Sequence, residues 1–237
     1  MAAVQGHLSN GADGPDAGGE GAPLAFRRAV TGLCAARVRP EVELDPTPPP
    51  RRLAPFSYAL EAVVADTTAD DDEEELAEGR LILLHDPAGH DAWRGTFRLV
   101  TLIHAELEPE IAADPLLPEV CWSWLTGALD ARGLGCTEPS GTVTRASSHY
   151  FGGIGEREPS TRIEIRASWT PSDHPSPEAA RPERADETAE PLGVPDTGAH
   201  LAAWCDLLCQ IAGLPPVGTT EAGVVSLPQR RGPGGPR

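Results

Sequence analysis

The densest run of side chains able to do chemistry is His85-Asp86-Pro87-Ala88-Gly89-His90-Asp91-Ala92-Trp93, where two His-Asp pairs offer imidazole and carboxylate ligands to a divalent cation. The reaction this suggests is metal-assisted hydrolysis, with His104 and His149 as further contributors from nearby strands. The same residues have a conformational reading: Asp86, Pro87 and Gly89 carry the signature of a type I turn linking two strands. The turn is the preferred reading, because a hydrolytic site needs ligands converging from several elements.

Ser147, Ser148, His149 and Tyr150 invite a nucleophile reading, since a serine beside a histidine is half of a hydrolase dyad. On a strand, Ser148 and His149 face opposite sides, while Ser147 and His149 stand about 7 Å apart on one face. Gly152, Gly153 and Gly155 lack a following helix to complete a phosphate cradle, so a hairpin loop is expected there. Cys205 and Cys209, with Cys121 from another helix, are positioned to act as thiolate ligands, yet they fall on apolar stripes and read first as packing thiols. Trp122, off its helix's main stripe, is the tryptophan expected to make an exposed contact. No cofactor is called for by any of these motifs.

A third group is basic. Arg98, Arg145, Arg162 and Arg166, with His149, are expected on the wet face of a sheet, where an arginine cluster suits an acidic peptide or a phosphorylated ligand. The alternative is neutralisation by Glu61, Glu106 and Glu164 in cross-strand pairs. The candidate binding surface is therefore His85, Asp86, His90, Asp91, Trp93, Arg98, Arg145, His149, Tyr150, Arg162 and Arg166, with no residue assigned to catalysis.

The elements that must position these groups follow from periodicity. Phe26, Ala29, Val30, Leu33 and Cys34 recur at helical spacing between Pro23 and Val38. Val42 and Leu44 mark a short edge strand, Tyr58 to Val64 a second, and Leu81 to Leu84 a third. Phe97, Leu99, Thr101 and Ile103 share one face of a fourth strand, with Arg98, His104 and Glu106 on the other. A helix starts from Asp114 and Pro115 and stops at Gly133. Strands follow over Gly141 to Tyr150 and Thr161 to Trp169, the latter with Ile163, Ile165, Ala167 and Trp169 inward. Asp196 caps a last helix bearing Leu201, Trp204 and Leu208. The order α-β-β-β-β-α-β-β-α predicts an α+β fold: an antiparallel sheet of five to six strands with three helices mainly on one face.

Among the 237 residues, Gly and Pro contribute 25 each and cluster outside these elements. A tail over 1–22, one domain over 23–216 with flexible insertions at 66–78 and 171–194, and a tail over 217–237 are expected. A net charge of -17 opposes nucleic acid and anionic membrane. Every basic residue apart from histidine is Arg, which removes lysine Schiff-base and P-loop chemistry. The five cysteines and the lack of an apolar leader or a long apolar run predict a cytoplasmic protein with reduced, mostly buried thiols.

The stretches LLHDPAGHDAWRGTFRLVTL, DPLLPEVCWSWLTGAL, GTVTRASSHYFGG, EIRASW and AHLAAWCDLLCQIAGLPP resemble the actinobacterial family catalogued as domain of unknown function 3000. The resemblance implies a cytoplasmic actinobacterial protein and supplies no activity, cofactor or catalytic residue. The sequence thus favours a non-catalytic module that binds another protein. A metal-assisted hydrolase using His85, Asp86, His90 and Asp91 is the first alternative. A nucleic-acid-associated protein using the arginine face is the second.

Overall fold

Apolar side chains at every second residue can be buried only if each strand lays one face against a cover, and here three helices supply it. The structure, a computed structural model, describes residues 21–65, 75–107, 109–175 and 193–215. Its elements run α1 (Leu24–Cys34), β1 (Val42–Thr47), β2 (Phe56–Ala65), β3 (Glu75–His90), β4 (Gly95–Leu107), the four-residue α2 (Pro109–Ala112), α3 (Leu117–Ala131), β5 (Leu134–Ser148), β6 (Ser160–Pro175) and α4 (Thr197–Ile211). The six strands form one antiparallel sheet in the order β1-β2-β3-β4-β6-β5. Because β6 enters between β4 and β5, the fifth strand in sequence becomes an edge.

The core lies between α1, α3 and α4 and the sheet face carrying Leu60, Leu83, Leu99, Ile103, Ile163, Ile165 and Trp169. Each such side chain contributes about 1.5–3 kcal/mol by leaving water. Helix α4 is the central cover, buried on nearly every side. Its close approach depends on Gly79, where a β-carbon would stand 2.7 Å from Trp204 Cζ2 and 2.9 Å from Leu208 Cδ2. Polar groups caught here are paired. Trp204 Nε1 donates to Thr101 Oγ1 at 2.7 Å, and that hydroxyl donates to Arg80 O at 3.1 Å. Thr197 Oγ1 donates to Ala29 O at 2.6 Å, tying α4 to α1.

The element order and the two faces of β4 and β6 agree with the periodicity. Asp196 caps α4, accepting from Ala199 N at 2.9 Å. Gly133 and Gly213 take φ +66° and +79° just beyond α3 and α4, where a Cβ would be strained. Cys121, Cys205 and Cys209 are buried free thiols; Cys34 is the exposed exception.

Other expectations are corrected. The chain reverses at Asp91–Arg94, where Trp93 N and Arg94 N donate to His90 O, and not at Asp86–Gly89. Asp86–Gly89 is instead an irregularity within β3: Asp86 Oδ1 accepts from Ala88 N and Gly89 has φ +80°. Asp114 does not begin the helix; its Oδ1 accepts from Leu116 N in the turn ahead of α3. Trp122 is no exposed contact, since it packs partly buried over β5, where a Cβ at Gly141 would meet its Cζ3 at 2.9 Å. Glu75–Glu78 and Pro171–Pro175, assigned to flexible insertions, are strand. The rest of 66–78 lies outside the described residues, as do the greater part of 171–194, 217–237 and all but the last two residues of 1–22. No helix among the described residues is long and apolar enough to cross a membrane.

Candidate functional site

The strand pleat decides what the His-Asp run can do. His85 has the parity of Leu83 and Leu81, so its ring enters the helix-covered core, 3% exposed. It stacks on Phe97 at 4.2 Å and Phe26 at 6.0 Å, and its Nδ1–H donates to Thr96 O at 2.9 Å. Burial holds its proton affinity below the ordinary histidine value. A neutral, donor-satisfied ring in an aromatic cage is a packing group and not a ligand aimed outward. Asp86 is partly buried, Asp91 is exposed, and the exposed His90 stacks on Trp93 at 4.6 Å. Trp93 covers a small apolar patch of Ala59, Ile82 and Leu84 on the opposite face. Among the described residues no three His, Cys, Asp or Glu side chains come close enough together to hold a metal ion.

The arginines do not gather either. Arg98 is 6% exposed and acts as a strut across three strands. Its Nη1 donates to Thr170 Oγ1 at 3.0 Å, and its Nη2 donates to Ser168 Oγ at 2.8 Å, Glu138 O at 2.9 Å and Ser140 Oγ at 3.2 Å. Burial lowers its proton affinity, against a smaller opposing pull from the Glu138 carboxylate. Arg145 sits on the helix-covered side with Val143, opposite Ile163, and donates to Ala112 O at 2.8 Å and Asp114 O at 3.0 Å. It pins the α2–α3 turn to β5. Tyr150 bonds Ser160 through its hydroxyl at 3.1 Å with Arg157 over its ring, while His149 is exposed beside it.

What remains on the open face is an ion-pair ladder. Arg80 meets Glu61 at 2.8 Å, Arg162 meets Glu106 at 3.4 Å, and Arg166 meets Glu164 at 2.7 Å. His104 lies between Glu78 at 3.2 Å and Glu164 at 2.9 Å. The Arg166 hydrogen bond, then the His104 one, holds the Glu164 carboxyl down to about 2. Cross-strand neutralisation therefore describes this face, and Glu78 and Arg80 are its members that periodicity did not single out.

The feature that sequence reasoning missed is the β5 edge. Ser140–Ser148 pairs with Ser168–Ser160 of β6 without a register break, and no strand lies on its other side among the described residues. These nine residues include no carboxylate and no proline, and all but Val143 are exposed. The opposite edge, β1, has six residues and carries Glu43, Asp45 and Pro46, the usual guards against strand addition. Just beyond Ser148, Phe151 is 80% exposed and Ile154 49% exposed in the β5–β6 loop. A phenylalanine beside Gly152 and Gly153, with no apolar partner at strand spacing, was the available signal.

Residues 22–220 match the model of a family described as "Protein of unknown function (DUF3000)". No curated protein and no solved structure matches the chain.

Proposed function

For this chain, which belongs to the DUF3000 family, we propose a non-catalytic protein-binding role in which the β5 edge accepts a strand from another polypeptide. The observation that carries the reading is the unguarded Ser140–Ser148 stretch, whose outward backbone groups offer a row of donors and acceptors. Such pairing draws affinity from the main chain and tolerates the small side chains present here. The exposed Phe151 adjoining the strand supplies an apolar anchor of the kind that dominates binding energy at interfaces. On the open face Arg80, Arg162, Arg166 and His104 are matched to carboxylates, and the β5 edge combines unpaired backbone groups with none of the guards that β1 carries.

The test is capture from a lysate that also contains an untagged copy of the chain. The full-length protein should retain a polypeptide, itself or another, in stoichiometric amount. Thr142→Lys combined with Thr144→Lys should release it with the circular-dichroism spectrum unchanged, because both side chains stand on the open face. Retention of nothing, or equal retention by the variant, would overturn the reading.

A further inference from the structure

We infer that the strand received by the β5 edge is β5 of a second copy of this chain, paired antiparallel about a twofold axis through Thr144. The inference rests on the protein-binding reading above and names its partner. Three observations lead to it.

The first is charge. The chain carries a net -17, so two copies repel overall. Ser140–Ser148 is without carboxylates, and its one cation, Arg145, is turned to the carbonyls of Ala112 and Asp114. A second copy can approach this stretch without bringing carboxylates against each other.

The second is register. Thr144 is the midpoint of Ser140–Ser148, so a twofold there uses the whole unguarded stretch. On the open face it sets Thr144 against its copy, Thr142 against Ala146 and Ser140 against Ser148, all small and neutral. Arg145 comes opposite Val143 and not opposite its own copy. The self-complementarity that a twofold interface demands is thus present in the residue order.

The third is the apolar tip. In this register the 80% exposed Phe151 of each copy, three residues beyond Ser148, is brought to the end of the paired stretch where the other copy's Ser140 stands. Two six-stranded sheets would then join edge to edge, and both copies would lose their unguarded edge together.

Light scattering on the full-length chain at micromolar concentration should give about twice 24.9 kDa, falling by half in the Thr142→Lys, Thr144→Lys variant. Thr144→Cys should form a disulfide between copies under mild oxidation. Amide exchange on the unaltered protein needs no variant: every amide from Ser140 to Ser148 should be protected. Fast exchange at alternate residues would mark an open edge. A monomeric wild type, or that alternating pattern, overturns the inference. If the monomer still captures a different polypeptide that the double variant releases, the inference alone fails and the binding role stands. If it captures nothing, both fall.

Discussion

On β4, Leu99, Thr101 and Ile103 alternate with Arg98, Leu102 and His104, so residues adjacent in sequence live on two different surfaces. Toward the helices, the buried polar groups are few and each is paired: Thr101 takes the Trp204 indole, and His200 accepts from Trp169 Nε1 at 3.3 Å. Toward the open face, charge is abundant and neutralised in pairs, from Arg80–Glu61 to Arg166–Glu164. What a side chain can do here is therefore set by pleat parity and cover more than by residue type. His85 and His104 make the point: one ring is a stacking surface in the core, the other an ion-pair hub.

The contrast can be broken most forcefully from the covered side. Leu99→Ala, at a fully buried position, should cost about 2–5 kcal/mol in denaturant unfolding. A loss below about 1 kcal/mol would mean the helices do not pack as described.

Arg98 is the exception that sharpens the comparison, since it belongs to the open face and yet is buried. Arg98→Ala should cost about 3 kcal/mol by leaving acceptors on β5 and β6 without a donor. Arg98→Lys should not restore the loss, because an ammonium cannot span the same acceptors. Full rescue by lysine would show that charge alone matters there.

Acid separates the faces by pH range. Burial depresses His200 from the ordinary 6.5 to about 4. The folded state then binds fewer protons than the unfolded one, so its stability is complete above pH 6.5 and is lost as pH falls from 6.5 toward 4. About 2 kcal/mol should be gone at pH 5, and His85, depressed for the same reason, adds in the same direction. Glu164, held down to about 2, extends the loss to lower pH as its carboxylate is protonated. Unfolding free energies that stay flat from pH 7 to 5 would contradict the buried neutral histidines.

The smallest effect is expected where solvent is nearest. Arg162→Ala, whose partner Glu106 is 3.4 Å away with both side chains mostly exposed, should shift stability by less than about 0.5 kcal/mol. The shift should shrink further with added salt. A change several times larger would make the open-face ladder a structural element and not a neutralised surface.

The stripe of α4, the Asp196 cap and the alternation of β4 and β6 were legible because each depends on residues within a few positions of one another. The reversal at Asp91–Arg94 was not, since Asp86-Pro87-Ala88-Gly89 supplies local turn chemistry that the β3–β4 register overrides with an irregularity. The face of Arg145 was not legible because within Ser140–Ser148 only Val143 marks the covered side. Of the open edge the residue order offered only Phe151 beside Gly152 and Gly153, because which strand ends a sheet depends on strand order.

By itself, then, the sequence determined the element order, the buried faces of the central strands and the residues available for charge pairing, all consequences of short-range periodicity. Long-range packing adds that β6 enters between β4 and β5, that Arg98 is buried through its bonds to β5 and β6, and that Ser140–Ser148 has no strand on its outer side among the described residues. Strand order arises from contacts between segments far apart in the chain, and a local pattern fits several such orders equally well.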